Sequence, residues 1–540
     1  MISRNVESHF GNIPNQNMRR SKLKRPSSHK TTMNAGDIVP IYRDELLPGD
    51  TVKIKLSSLV RMTTPMDPVM DNAWMDVYFF AIPRRLVWEH WREFMGENTT
   101  KPWTQTTVYT IPKTTAPTGG WAKGSIAHYM GMRMNTDNIW IDSCYLRAYV
   151  LCYNEWFRNE NLIEPAAMSE GDATTSGSNG TDYVIDPEKG GMCLKATRYA
   201  DYFSRALPEP QKGVSVYVPL GETAPIIGTE PEGHPSGRTT DTNLLDKNLM
   251  VSRWNSGVDN ISALYTNATT PVQMGVGKDI GLAADLSSAI GASINDLRMA
   301  YSIQKLMEVD SRSGSRYIEI IRGHFHVTSP DARQQRPEYL GGARIPINMT
   351  QVVNQSGQSG EPLGDTAGMS LTLDSRNMVS YSSTEHQIIL GLAVIRTERS
   401  YQQGIDKILQ RQTKYDFYWP ELANIGEQAI KEKEIYAQGT ADDDEVFGYQ
   451  EAWAEYRYSQ NRITGELNSD YATPLDSWHY GDDYASKPTL SDDWVRESKA
   501  NVDRTLAIQD QDQFIADFYF DQTWVRPMPI YSVPGLTGWH

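Results

Sequence analysis

The stretch from Asn72 to Glu97, NAWMDVYFFAIPRRLVWEHWREFMGE, carries the strongest fold signal in this chain of 540 residues. Large apolar side chains occupy both alternating faces of a predicted strand between Trp74 and Ile82. One face holds Trp74, Tyr78, Phe80 and Ile82, and the other holds Met75, Val77, Phe79 and Ala81. A strand that is apolar on both faces is covered on both sides. The stretch therefore predicts a strand deep inside a large β protein.

The residues after this strand change to helical spacing. Pro83 stands near the predicted first turn and Gly96 just past the end, which are the positions these residues favour in helices. Arg84 and Arg85 at a helix N-terminus oppose the helix dipole, so a carboxylate across an interface or a DNA phosphate would explain them. The aromatic side chains need cover from the long excursions or from a neighbouring subunit. The candidate subunit-interface residues are Arg84, Arg85, Trp88, Trp91 and Phe94.

Composition indicates a folded chain with a substantial core. The sequence is 39% hydrophobic and 22% charged, with 14 Trp and 28 Tyr, which is enough apolar surface for two or three domains or for one core with insertions. The three cysteines, Cys144, Cys152 and Cys193, argue against a disulfide framework and are expected to be buried thiols. No segment resembles a signal peptide or a membrane span.

A basic segment precedes a predominantly acidic chain. Residues 1–35 contain seven basic residues and one acidic residue, whereas the whole chain has a formal charge of −15. This asymmetry predicts an extended arm that neutralises nucleic-acid phosphates. A merely solvated, disordered tail is the alternative. The candidate DNA-binding residues are Arg4, Arg19, Arg20, Lys22, Lys24, Arg25 and Lys30.

The rest of the chain alternates short strands with long, unequal excursions. A core begins at residues 36–220 and continues at residues 282–540, and it is interrupted at 221–281 by a segment rich in Gly, Pro, Ser and Thr that predicts a surface insertion. Further predicted elements are helices near 142–159 and 293–310, and strands at 52–56, 214–218, 317–327 and 388–397. This order is unlike the regular alternation of a parallel sheet and favours an antiparallel barrel or sandwich, of which the jelly roll is the commonest design.

No catalytic or metal-binding constellation stands out. His324 and His326 would share one face of a predicted strand, but no third ligand is identifiable, so two histidines at an interface or on a wet face are favoured. The acidic runs at 442–445 and 476–483 lack the spacing of a calcium loop and predict solvated loops. We therefore expect no metal, no cofactor and no enzymatic activity.

Several long segments resemble one known family. The stretch at 67–97 is similar to the signature segment of the major capsid proteins of microviruses, small tailless phages with circular single-stranded DNA, and most closely to the gokushovirus branch. The resemblance continues, in order, through YLRAYVLCYNEWFRNENL (145–162), RYADYFSRALPEPQKG (198–213), SRYIEIIRGHFHVTSPDARQQRPEYLGG (315–342), TKYDFYWPELANIGEQAI (413–430), FGYQEAWAEYRYSQNRITGEL (447–467), FIADFYF and RPMPIYSVPGL. It covers most of the chain outside 221–281.

The resemblance implies a specific fold and assembly. It implies a mainly β protein, an eight-stranded antiparallel viral jelly-roll barrel with long, partly helical insertions. Sixty copies would close a T=1 icosahedral shell around a circular single-stranded DNA genome. The segment 221–281 would form the protrusion at the threefold axes and take part in host attachment. The expected localisation is the virion, assembled in the cytoplasm of the bacterial host.

The resemblance also implies partners. These are further copies of the chain, an internal scaffolding protein, a small basic DNA-binding protein, a DNA pilot protein, the single-stranded genome and a host receptor, possibly a glycan. The alternative reading is a soluble carbohydrate-binding or glycan-cleaving jelly-roll protein, because that scaffold also serves lectins and glycanases. Such an enzyme would require two poised carboxylates in a cleft.

Overall fold

The structure is a computed structural model that describes residues 19–98, 107–214, 216, 226–228, 282–284, 294–356 and 363–531. The chain divides into two compact units. The first consists of Met1–Lys212 together with Glu308–His540, and the second is Gly213–Met307. The two sheets that dominate the fold belong to the first unit.

Strands outnumber α-helices in the described chain. The strands are β1 (Ser21–Lys24), β2 (Ser27–Met33), β3 (Val39–Leu46), β4 (Thr51–Met62), β5 (Ala73–Pro83), β6 (Lys113–Thr115), β7 (Trp140–Asp142), β8 (Thr175–Ser176), β9 (Ile226–Gly228), β10 (Leu282–Ala284), β11 (Glu338–Pro346), β12 (Met349–Val353), β13 (Thr366–Ser370), β14 (Thr372–Ser382), β15 (Gln387–Thr397), β16 (Glu427–Lys431), β17 (Val446–Glu451) and β18 (Phe514–Arg526). The α-helices are α1 (Trp91–Phe94), α2 (Ile126–Tyr129), α3 (Ser143–Cys152), α4 (Ile294–Ser313), α5 (Tyr317–Phe325), α6 (Asp492–Val495) and α7 (Ala500–Asp503).

Two antiparallel sheets form the centre of the first unit. One, which we call the open sheet, has the order β1 and β2, β18, β4, β14, and the other, the covered sheet, has the order β11, β5, β15, β3. Numbered along the chain from β2, without β1, the long strands follow the orders 1-8-3-6 and 2-7-4-5, which is the strand order of a jelly roll. The mainly β, jelly-roll prediction is therefore confirmed. The two sheets contain nine strands, because β1 continues the edge formed by β2.

The apolar strand of the opening stretch lies in the middle of the covered sheet, as β5. Its side chains at Met75, Val77, Phe79 and Ala81 enter the core between the two sheets. Phe80 and Ile82 enter a second core on the opposite side. The neighbouring strand β15 is buried along its whole length and divides its side chains in the same way. The prediction of a strand covered on both sides is confirmed.

The second core is closed by excursions of the same chain. The helix α3 and the loops around it cover Phe80, Ile388 and Leu390. Asp142 caps this helix, since its side chain accepts a hydrogen bond from the backbone N–H of Cys144 at 2.9 Å. The helix continues as a π-helical turn over Tyr153–Phe157. The helix expected near 142–159 is thus present, with a change of geometry in its last part.

The first 35 residues are not a separate arm throughout. β1 pairs with the C-terminal part of β18, and β2 pairs with its N-terminal part. Hydrophobic periodicity does not predict these strands, because they lie at a sheet edge and bury few side chains. In β2 only Met33 is buried. The predicted boundary at residue 35 therefore does not separate an arm from the core.

Two further predicted elements are corrected by the structure. The strand expected at 317–327 is wrong, because the segment forms the helix α5, at whose start the carboxylate of Glu319 accepts a hydrogen bond from the backbone N–H of Arg316 at 3.2 Å. The helix expected after Pro83 is reduced to a 3₁₀ turn, Arg84–Leu86, and the single turn of α1. The strand expected at 214–218 lies mostly outside the described residues.

The second unit contains a short antiparallel pair of strands. β9 pairs with β10, and Gly228 is the partner of Leu282. The sequence between these partners, residues 229–281, accounts for most of the predicted insertion and lies outside the described residues. The helix expected at 293–310 is confirmed as α4, most of which belongs to this unit.

Candidate nucleic-acid interface

The outward face of the open sheet carries a row of lysines. In β4 the side chains alternate, so that Val52, Ile54 and Leu56 are buried while Lys53 and Lys55 are exposed. The adjacent edge strand β1 exposes Lys22 and Lys24 in the same alternation. We call these four residues, Lys22, Lys24, Lys53 and Lys55, the lysine face.

Strand register brings these lysines together on one surface. Lys24 is paired with Thr523 of β18, Thr523 is paired with Lys53, and Lys53 is paired with Ser380 of β14. One step along the sheet, Lys55 lies between Asp521 and Asn377. Neighbouring strands are about 4.8 Å apart, and side chains on one face repeat about every 6.8 Å along a strand, so the four ammonium groups share a compact patch.

The lysines of the lysine face form no salt bridge with a described carboxylate. Within the described part of the chain, none of its four ammonium groups has a carboxylate within 4.0 Å, although Asp521 occupies the position opposite Lys55. Hydroxyl groups surround the lysines, including Thr51, which hydrogen-bonds to Ser382 at 2.9 Å, and Ser57, which hydrogen-bonds to Ser375 at 2.8 Å. Lysines and hydroxyls are suited to phosphate oxygens, and the exposed ring of Tyr519 beside Ser57 offers a surface on which a base can stack.

The predicted DNA-binding residues fall into three groups. Arg4 lies outside the described residues, and Arg19, Lys22 and Lys24 are exposed. The remaining three are engaged within the chain. Arg20 donates to Thr51 Oγ1 at 2.8 Å, Arg25 pairs with Asp44 at 2.9 Å, and the Nζ of Lys30 lies 3.4 Å from Asp517.

Lys53 and Lys55 were missed by the sequence reading. The alternating sequence TVKIKL showed that they face away from the core, but not that a strand from the N-terminus lies beside them. The signal was therefore present in β4, and only the sheet order gives it a meaning.

The five predicted interface residues find their partners inside the chain. Trp88 is fully buried and donates its indole N–H to Asp172 at 2.6 Å. Arg84 is buried between Glu45 and Asp142, and its guanidinium lies 5.1 Å from the ring centre of Trp91. The carboxylate that Arg84 required is therefore intramolecular.

The other two members of this set are also held within the chain. Arg85 pairs with Glu385 at 2.8 Å, and Phe94 packs on Trp88 with 5.3 Å between ring centres. The cover for these aromatic rings comes from the chain's own excursions, and both arginines have carboxylate partners within the described chain. The assignment of these five residues to a subunit interface stays a prediction.

One pair of carboxylates is close enough to share a proton. Burial, together with a hydrogen bond to Glu319, raises the pKa of Glu160 to about 7. The guanidinium of Arg316 lies beside both carboxylates, 3.4 Å from Glu160 and 3.1 Å from Glu319. Gly314 adopts a left-handed conformation next to them, and a Cβ at this position would collide with both carboxylates. In a retaining or inverting glycosidase the two carboxyl groups stand at least about 5 Å apart, with the scissile bond between them. Direct contact between Glu160 and Glu319 is unlike that arrangement.

The remaining candidates for chemistry are accounted for by internal contacts. His324 lies on a helix, where its Nε2 is 2.8 Å from Asp310, and His326 ends that helix in the left-handed conformation, so the pair expected on one strand face does not exist. Asp482 was expected in a solvated loop, but it is buried between Arg399 and Arg198, at 2.6 and 2.7 Å. Burial alone would raise the pKa of Asp482, but the two guanidinium groups hold this pKa well below its usual range.

The three cysteines are buried and free, as expected, and burial raises the pKa of Cys144 to about 12. In the described ranges, no group of three or more His, Cys, Asp or Glu side chains could hold a metal ion. No helix among the described residues has the length and apolar character needed to cross a membrane.

Comparison with known proteins identifies the family. The family model described as "Capsid protein (F protein)" matches residues 11–536. Three relatives are each called "Capsid protein VP1": that of Bdellovibrio phage phiMH2K is 39% identical and covers 99% of both chains, and that of Spiroplasma virus 4 is 38% identical over 98% of this chain and 97% of its own. The third, from Chlamydia phage 1, is 35% identical over 98% of both. These gokushovirus-type relatives confirm the resemblance, and the chain belongs to the phage capsid protein (F protein) family.

Proposed function

We propose that this capsid protein closes a T=1 icosahedral shell of sixty copies around a circular single-stranded DNA genome, and that the open sheet turns its lysine face toward the DNA. The observation that carries the DNA contact is the set of four lysines on one sheet face that have no carboxylate partner among the described residues. In a chain of net charge −15, such a patch is suited to bind a polyanion without base specificity. The role is structural and not enzymatic.

The remaining partners follow from the same proposal. The shell would assemble on an internal scaffolding protein in the host cytoplasm and enclose a small basic DNA-binding protein and a DNA pilot protein with the genome. Arg19, which is exposed, would add a further phosphate contact, and Arg4 stays a candidate DNA-binding residue. The segment 221–281 would protrude at the threefold axes and contact a host receptor, possibly a glycan.

The DNA contact is tested by replacing Lys22, Lys24, Lys53 and Lys55 together by Ala. Each phosphate contact on a single strand contributes about 0.7 to the slope of log affinity against log salt concentration, so the slope should flatten by about 2 to 3 units. Binding of a labelled single-stranded oligonucleotide at several salt concentrations measures this slope.

The matched control removes the same charge elsewhere. Lys431, Lys433, Lys487 and Lys499 each pair with a carboxylate, so their replacement by Ala should leave the slope close to that of the unchanged chain. Equal slopes for the lysine-face variant and the unchanged chain would refute the contact and favour an N-terminal segment that binds scaffold or neighbouring subunits.

The insertion is tested through the strand pair that flanks it. Because Gly228 and Leu282 are partners, residues 229–281 can be replaced by a two-residue Asn-Gly turn that joins β9 to β10. We expect shells to form while attachment to host cells is lost. Loss of shells together with attachment would show that the segment is needed for assembly instead.

A further inference from the structure

The segment 412–421 is exposed along its whole length. All ten residues, from Gln412 to Glu421, are exposed, and they include Tyr415, Phe417, Tyr418 and Trp419. We propose that this aromatic segment is a subunit contact that packs against a second copy of the chain. The inference rests on the proposed shell function and assigns one of its contact surfaces.

The apolar area around the segment is too large for an ordinary free surface. Tyr415 is 65% exposed and Leu409 is 73% exposed, and about half of each side chain is exposed at Ile408, Phe417, Tyr418, Trp419 and Tyr456. With 150–250 Å² for a fully exposed aromatic side chain, the five aromatic residues present about 400–650 Å², and Ile408 and Leu409 add exposed aliphatic surface to this area. The largest apolar patch of a typical monomer is about 300–600 Å², whereas one side of a stable protein interface buries about 800 Å².

The segment is held in place by its own contacts. Arg411 joins Glu455 at 3.1 Å, and its guanidinium lies over the rings of Phe417 and Tyr456, at 5.2 and 4.5 Å. The ring of Tyr418 meets that of Trp453 edge-on at 5.9 Å. A surface that is ordered before it binds loses little conformational entropy on association, and this favours a specific contact.

Two polar groups of the segment are hydrogen-bonded within the segment itself. The indole N–H of Trp419 donates to the backbone oxygen of Lys414 at 2.8 Å. The carboxylate of Asp416 accepts hydrogen bonds from the backbone N–H groups of Gln412 and Thr413, at 2.9 and 2.7 Å. Four of the ten exposed residues are aromatic, and aromatic residues are enriched at the centres of protein interfaces.

A second copy is the partner that these observations favour. A capsid protein must bury large surfaces against its own copies, and the residues first expected to do so, such as Trp88, are enclosed within the subunit. Together with Ile408, Leu409 and Tyr456, the segment presents an aromatic and aliphatic area that approaches one side of a stable subunit contact.

The test replaces Leu409, Tyr415 and Phe417 by Ser in the full chain. None of the three side chains is buried, so the subunit should fold, which circular dichroism and the thermal midpoint verify. We expect the protein concentration needed for shell formation to rise at least tenfold, as followed by sedimentation and negative-stain imaging. The control replaces Met70, Val108 and Ile185, three exposed apolar residues at distant places in the sequence, by Ser and should assemble normally.

A second measurement identifies the partner directly. A photo-crosslinking amino acid placed at position 415 in assembled particles should yield dimers of this chain alone. A crosslink only to another protein, or normal assembly of the triple variant, would overturn the inference while leaving the shell function intact. If the unchanged chain with its scaffold forms no shells, the proposed function fails, and the inference fails with it.

Discussion

The two sheets of the sandwich share one core but differ on their outer faces. In the covered sheet, β15 is buried at every position, because α3 and its loops close the second side. In the open sheet, β4 alternates between buried and exposed side chains, and its outer face carries Lys53 and Lys55. The same architecture therefore produces one sheet with two packed faces and one with a free face.

The difference shows where an insertion changes the use of a sheet. The chain between β5 and β11 covers one sheet and turns it into the interior of the subunit. The strands β1 and β2 extend the other sheet at its edge, and among the described residues before β3 they leave its outer face exposed. Only the open sheet is then available, within the part of the chain that the structure describes, to bind a partner through its strands.

The sharpest way to test this comparison is to remove one aromatic ring from each sheet. Phe80 is buried in the covered sheet, against the rings of Trp156 and Phe157, whereas Tyr519 is half exposed on the open sheet. Phe80→Ala should reduce the free energy of unfolding by about 3–5 kcal/mol because it leaves a cavity. Tyr519→Ala should reduce it by no more than about 1 kcal/mol. Urea denaturation of the unassembled chain measures both, and similar losses would show that the open face is covered in the free subunit.

A buried carboxylate tests the same difference between the two sheets, with a smaller expected change in the free energy of unfolding. Asp76 of β5 is buried and accepts hydrogen bonds from Arg344 at 2.9 Å and Tyr199 at 2.8 Å, beside Arg396. Asp76→Asn keeps the shape but leaves the guanidinium groups without their counter-charge, so we expect a loss of about 2–4 kcal/mol in the free energy of unfolding.

The matched control for Asp76 lies on the open sheet. Asp517 is half-buried and lies 3.4 Å from the exposed ammonium group of Lys30, and Asp517→Asn should cost less than about 0.5 kcal/mol. The thermal midpoint of each variant at low and high salt separates the two environments, because salt screens only the exposed pair. A salt-sensitive loss at Asp76 would contradict its burial.

The covered sheet was predictable from sequence to a greater extent than the open one. Two apolar faces over Trp74 to Ile82 leave a single interpretation, and the same holds for the aliphatic run that became β15. Edge strands give no such pattern. Their backbone hydrogen bonds go to β18, nearly 500 residues away, and local sequence cannot report that pairing.

Two of the four residues of the lysine face were predictable from the sequence. The basic character of Lys22 and Lys24 was visible, but their alignment with Lys53 depends on sheet order. The segment 317–327 was misread because aliphatic and aromatic residues such as Tyr317 and Ile318 suit strands as well as helices. At the start of the helix, Glu319 accepts hydrogen bonds from the backbone N–H and the guanidinium of Arg316, but Arg316 is not one of the Ser, Thr, Asp or Asn residues that mark a helix start in a sequence.

The last prediction concerns the excursion that covers the covered sheet, and whether its contribution to the free energy of unfolding depends on pH. Glu160 follows α3, and its pKa of about 7 exceeds the value of 4.5 expected in the unfolded chain. The folded state therefore holds a proton that the unfolded state has released, and stability falls as the pH rises from about 5 to 7. Allowing for partial solvation and for sharing of the proton with Glu319, we expect a loss on the order of 1–2 kcal/mol.

Glu160→Gln tests this directly, because its amide can donate to Glu319 at every pH. The free energy of unfolding of this variant should change less between pH 5 and pH 8 than that of the unchanged chain, with the difference growing toward pH 8. Glu445→Gln is the control, since Glu445 is exposed and should leave the pH profile unaltered. A parallel profile for Glu160→Gln would show that the two carboxylates ionise independently. Equal flattening by both variants would mean that the pH response belongs to the acidic surface of the whole chain and not to the cover.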